Sequence, residues 1–89
     1  MADTITWYVD YFDDLDIHKL YNLLYLRAEI FVVEQECPYL DPDNKDQKAL
    51  HLQGYLGEKL VAYCRLFKPG DYFAGPSIGR AVVAAGFRK

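Results

Sequence analysis

A basic surplus is the first thing this chain lacks. Ten Lys and Arg stand against thirteen Asp and Glu, a net charge of −3. Nucleic-acid binders ordinarily carry an excess of cations, so none is expected here. Also missing is the run of ~20 consecutive apolar residues that a transmembrane helix requires. The longest apolar runs are short, as at Ala81-Val82-Val83-Ala84-Ala85, and no membrane partner is expected. The N-terminus, Met1-Ala2-Asp3-Thr4, has neither the basic nor the apolar region of a secretory leader. With two cysteines, Cys37 and Cys64, there is no disulfide framework, and reduced thiols in a cytoplasm are the expectation. Together with His18 and His51 they show no Cys-x-x-Cys or His-x-x-x-His spacing, so no metal site is expected.

What is present is apolar and aromatic. Of 89 residues, 52% are hydrophobic and 16% aromatic, which excludes a disordered segment. The length allows one domain, residues 1–89, with a core just large enough to fold. Charge is unevenly spread. Residues 1–16 hold five Asp and no base, residues 34–48 hold five acids and two Lys, and residues 76–89 hold Arg80, Arg88 and Lys89 with no acid. A basic tail can suit an anionic ligand, and equally can be a solvated end.

Residues 4–12 are β-branched and aromatic with partial alternation, which predicts a strand. Asp13, Asp14 or Asp16 can cap the helix after it. Ile17, Leu20, Tyr21, Leu24, Ala28 and Phe31 recur at a 3–4 spacing and predict a helix over 16–34, its buried stripe widened by Leu23, Leu26, Ile30 and Val33. Pro38 ends it. Residues 35–49 read as a long polar loop, of a length that suggests function. Strands come next over 50–57, 59–67 and 77–84, joined by turns at Gly57-Glu58 and Lys68-Pro69-Gly70-Asp71. Short-linked consecutive strands favour an antiparallel sheet, so the fold class is α+β: a mostly antiparallel sheet with a helix after the first strand.

Several constellations bear on chemistry. Asp41-Pro42-Asp43-Asn44-Lys45-Asp46 starts like a calcium loop but has Lys at the third ligand position and no Gly at the sixth. Cys37 with His51 could make a nucleophile and base, with nothing to mark an oxyanion hole. Glu34 sits at a helix end beside Val32 and Val33, where partial desolvation would favour base chemistry. Arg65 and Arg80 lie within apolar strands, each able to clamp an anion or to pair with a carboxylate across the sheet. The five acids of 34–48 would suit a cationic amine or peptide, and solvation explains them equally well.

The segment Leu26-Arg27-Ala28-Glu29-Ile30-Phe31-Val32-Val33-Glu34-Gln35-Glu36-Cys37-Pro38-Tyr39 resembles the first-helix region of the ElaA-like proteins in the GNAT N-acetyltransferase superfamily. The likeness continues through His51-Leu52, Leu60-Val61-Ala62-Tyr63-Cys64-Arg65-Leu66 and Ile78-Gly79-Arg80-Ala81-Val82-Val83. It implies the N-terminal portion of the GNAT fold, with the chain stopping where the glycine-rich phosphate loop would begin. The resemblance implies transfer of an acetyl group from acetyl-CoA to an amine of a small molecule or peptide. It implies that Val82 and Val83 run beside the pantetheine arm, that Arg88 and Lys89 open the phosphate loop, that Glu34 is the base, and that Gln35 and Tyr39 face the amine. A second reading is a non-catalytic module that pairs through an open sheet edge, in which case a homodimer is expected.

Overall fold

The computed structural model describes residues 4–71 and 74–87. Four strands form one antiparallel sheet in the order β1-β2-β3-β4: Ile5–Tyr11, Leu50–Leu56, Lys59–Phe67 and Ser77–Val83. The strands predicted from sequence are all present, each trimmed by one or two residues at most. Leu56 faces Lys59, so Gly57 and Glu58 form a two-residue hairpin turn, with Gly57 at φ +62° where a side chain would be strained. The Lys68–Asp71 turn is closed by the Asp71 N–H donating to the Lys68 carbonyl at 3.2 Å.

Helix α1 spans Ile17–Arg27. Asp16 caps it, its carboxylate accepting the Lys19 N–H at 2.8 Å. From Ala28 to Glu34 the chain continues as a π-helix. The Gln35 N–H reaches back five residues to the Ile30 carbonyl, and Cys37 N–H to Val32. Each wider turn rotates the apolar stripe relative to an α-helix of the same sequence.

The buried face of α1 also differs from the expectation. Leu23, Leu26, Arg27 and Ile30 are the buried line, whereas Ile17 is 77% exposed and Tyr21 68%. Val33 is exposed as well. Leu20, Leu24 and Phe31 pack at the margin of the core. The sheet is narrow and covers only the line centred on Leu23 and Leu26, so the first turn of α1 overhangs it. The apolar core joins Leu23, Leu26 and Ile30 to Tyr55, Leu60, Val61, Tyr63, Val82 and Ala84.

The pairing of β3 with β4 is irregular at one point. Tyr63 pairs with Val82 but Arg65 with Gly79, so three steps along β4 face two along β3. This is a β-bulge, and Arg80 sits in it at φ +52°.

Candidate functional site

The loop between α1 and β2 begins where Glu36 turns left-handed at φ +51° and is pinned by charge. Asp46 Oδ1 accepts from Arg27 Nη1 at 2.8 Å and from Arg65 Nη1 at 3.0 Å. Asp43 takes both ends of the Arg65 fork, each at 2.8 Å. Asp41 forms an ion pair with Arg27, its Oδ2 2.9 Å from Nε, and its Oδ1 accepts from Arg80 Nε at 2.8 Å. Its carbonyl also accepts from Arg80 Nη2 at 2.9 Å and Arg27 Nη2 at 3.3 Å. Three arginines from α1, β3 and β4 thus meet three aspartates of one six-residue stretch.

Burial gives this network its strength and its risk. The Arg27 and Arg65 side chains are 0% and 1% exposed, and a buried charge stripped of its partner is costly. Burial alone would pull both guanidinium pKa values down. The Asp46 bond to Arg27, and the Asp43 and Asp46 bonds to Arg65, outweigh it and hold both above the ordinary value. The hydrogen bonds from Arg65 hold the Asp43 carboxyl far below the usual carboxylate range, against the opposing effect of burial.

His51 lies beneath this network, fully buried on β2. Its Nε2 is 2.9 Å from the Asp46 carbonyl and its Nδ1 is 2.6 Å from the Tyr63 hydroxyl. A carbonyl only accepts, so Nε2 carries the proton, and Nδ1 accepts from Tyr63. Burial lowers the His51 pKa, partly offset by the Asp46 carbonyl, and burial raises that of Tyr63. Both ring nitrogens are committed, and Cys37 is exposed. The sequence pairing of Cys37 with His51 as nucleophile and base is therefore overturned.

Two other sequence alternatives are resolved. Arg65 and Arg80 pair with carboxylates rather than clamp an anion, and their partners lie on the loop rather than across the sheet. Asp41, Asp43 and Asp46 are neither a solvated turn nor an open acidic surface. The signal was present in the sequence as three arginines inside apolar stretches and three aspartates inside one loop.

The residues implied by resemblance are placed as follows. Glu34 is exposed, so the desolvation expected for it is absent. It lines a groove of about 180 Å³ with Glu29, Val33, Lys59, Ala84 and Ala85, which brings it to the segment immediately after β4. Gln35 is exposed beside it. Tyr39 lies further along, its ring 5.7 Å from the Arg80 guanidinium and its hydroxyl 3.4 Å from Asp41 Oδ1. Burial, then the neighbouring Asp41 against the opposing Arg80, raises its pKa. Val82 is buried in the core. On the opposite face Val83 lines an apolar groove of about 310 Å³ with Trp7, Leu52, Ala62, Cys64 and Ala81. Arg88 and Lys89 lie outside the described residues. Among the described residues no group of His, Cys, Asp or Glu is arranged to hold a metal ion, and no helix is long and apolar enough to cross a membrane.

No protein-family model matches the chain. It is similar to Protein ElaA of Escherichia coli, 40% identical over 86 residues that make up 94% of this chain and 56% of ElaA. A UPF0039 protein of Synechocystis is 40% identical over 85 residues, 94% of this chain and 55% of that protein. Among solved structures, an acyl-CoA N-acyltransferase of Pseudomonas aeruginosa superimposes with a TM-score of 0.91 at 38% identity, over 97% of this chain and 60% of that one. The crystal structure of Escherichia coli ElaA gives 0.89 at 39%, over 96% and 59%. The chain spans a little over half the length of these relatives.

Proposed function

We propose, from a chain that carries the N-terminal portion of the GNAT acyltransferase fold in an ElaA-like sequence, that the whole protein is an N-acetyltransferase. It moves an acetyl group from acetyl-CoA to an amine of a small molecule or peptide. The observation that carries this reading is the groove in which Glu34 meets Ala84 and Ala85, just past the end of β4. A carboxylate there stands beside the strand assigned to the pantetheine arm.

In this reading the backbone of Val82 and Val83 guides the pantetheine, and Arg88 and Lys89 begin the cradle for the phosphates. Glu34 takes a proton from the acceptor ammonium, directly or through one water. The freed nitrogen lone pair forms the new N–C bond to the thioester carbon as the C–S bond breaks, and the departing thiolate takes up a proton. Gln35 and Tyr39 contact the amine. Supporting a cytoplasmic setting, Cys37 and Cys64 are both free thiols.

Glu34→Gln in the full-length protein tests the assignment. The expected result is a kcat lowered by about 10²–10³-fold with acetyl-CoA affinity unchanged, as loss of a general base predicts. Undiminished turnover would remove Glu34 from the mechanism.

The apolar groove around Trp7, Leu52, Ala62, Cys64, Ala81 and Val83 favours a second reading, a module that pairs with another copy of itself. Light scattering of the full-length protein that shows a monomer at high concentration would set it aside.

A further inference from the structure

Three arginines hold the loop, but not in the same way. Arg27 and Arg65 reach it from inside the protein. Arg80 reaches it from the sheet's end strand with its side chain 21% exposed, and from a backbone at φ +52° that a residue with a Cβ disfavours. Gly79, its immediate neighbour, would adopt that conformation readily, yet it is not among the glycines at positive φ. The bulge therefore puts a long forked cation at a position where a glycine would be easier.

What that cation holds is specific. Its Nε and Nη2 grip the carboxylate and the carbonyl of Asp41 at 2.8 and 2.9 Å. Nη2 also reaches Asp43 Oδ2 at 3.4 Å, and the guanidinium faces the Tyr39 ring. Two residues further on, Val82 enters the core opposite Tyr63. One side chain thus ties the loop at residues 39–43 to the strand at the point where its register slips.

We infer that Arg80 is a positioning residue, whose clasp on Asp41 couples the loop over 39–43 to β4. The inference rests on the reading that acetyl-CoA lies along β4. Given that reading, ligand bound to the strand tightens the loop that flanks the acceptor side, and Arg80 transmits the effect. Without Arg80 the loop keeps its other anchors. Asp41 retains Arg27, and Asp43 and Asp46 retain Arg65, so the fold survives the loss of the clasp alone.

Arg80→Gly in the full-length protein is the test, because glycine keeps the bulge and removes only the clasp. Amide hydrogen exchange is followed by mass spectrometry with and without saturating acetyl-CoA. In wild type, acetyl-CoA slows exchange over residues 39–45 by about fivefold or more, and in Arg80→Gly by less than about twofold, while its affinity changes less than about threefold. Arg80→Lys, which keeps the charge without the fork, restores part of the slowing. Equal slowing in wild type and Arg80→Gly overturns the inference. So does a wild-type loop that ignores bound acetyl-CoA, or a joint loss of affinity and protection in Arg80→Gly, which marks a general structural role. Wild type that fails to bind acetyl-CoA overturns the proposed function instead. Exchange without ligand then decides the clasp: faster over 39–45 in Arg80→Gly supports it, and unchanged exchange overturns it.

Discussion

The helix-covered face of the sheet has two ends that are held by different physics. At one end Leu23, Leu26 and Ile30 pack on Val61, Val82 and Ala84. At the other, Arg27 and Arg65 meet Asp41, Asp43 and Asp46 over His51. Apolar packing is non-directional and scales with the area removed from water. It fixes how far α1 lies from the sheet but says little about where a loop goes. Forked, charge-assisted hydrogen bonds are directional and fail if the partner moves by an ångström. The polar end is what gives residues 41–46 one position.

That contrast can be broken most forcefully at Asp46. Asp46→Ala takes a hydrogen-bond acceptor from two fully buried arginines, and should cost about 3–5 kcal/mol of unfolding free energy in a denaturant titration. A loss below that of a core truncation would mean that solvent reaches the network. At the apolar end, Leu26→Ala should cost about 2–4 kcal/mol while leaving the 41–46 loop as resistant to proteolysis as before. Loss of loop protection in that variant would show the two ends to be one cooperative unit.

Acid separates them further, since only the polar end titrates. The folded pKa of His51 is depressed, so its contribution is complete above the unfolded value near ~6.5 and is lost as pH falls below it. Stability should decline by up to about 1.4 kcal/mol per pH unit below that point. In His51→Gln this part of the slope should vanish. Asp43, also depressed in the folded state, adds its own loss only below about pH 4. An acid profile of wild type that stays flat as pH falls through about 6.5 would contradict the buried neutral imidazole. Smallest of all, Tyr21→Ser on the overhanging turn of α1 should change stability by no more than about 0.5 kcal/mol, because that ring lies outside both ends.

Local patterns made most of the architecture legible in the sequence. Alternation and turn chemistry identify β1 to β4, and Asp13, Asp14 and Asp16 announce the start of α1, Asp16 being the one that caps it. The exposure of Ile17 and Tyr21 was hidden because the width of the sheet under α1 is not a local property, and that of Val33 because the π-turn it lies in forms its bonds five residues apart, for which apolar spacing holds no cue. The loop's anchors were hidden for another reason. Arg27 is separated from Asp46 by 19 residues, Arg65 from Asp43 by 22 and Arg80 from Asp41 by 39, and pairings at such distances arise from topology. For the candidate site, the resemblance led to Glu34, Tyr39, Val82 and Val83; the fold sets Glu34 beside Ala84 and Ala85 just past β4, Tyr39 beside Arg80, and Val82 and Val83 on opposite faces of that strand. The Arg80 bulge that joins Tyr39 to that strand carries no sequence signature, since an arginine at positive φ runs against local preference.

The pairing of three arginines with three aspartates also changes how the molecule looks from a distance. On paper the stretch 34–48 is an acidic segment of charge −3. In space its three aspartates are cancelled by Arg27, Arg65 and Arg80, leaving Lys45 and Lys48 to balance Glu34 and Glu36. Beyond a Debye length of about 8 Å such an arrangement presents multipoles rather than a monopole, and its field dies away quickly. A charged solute approaching this end of the protein is therefore steered by individual exposed side chains, Glu34 and Glu36 among them, and not by the loop as a whole.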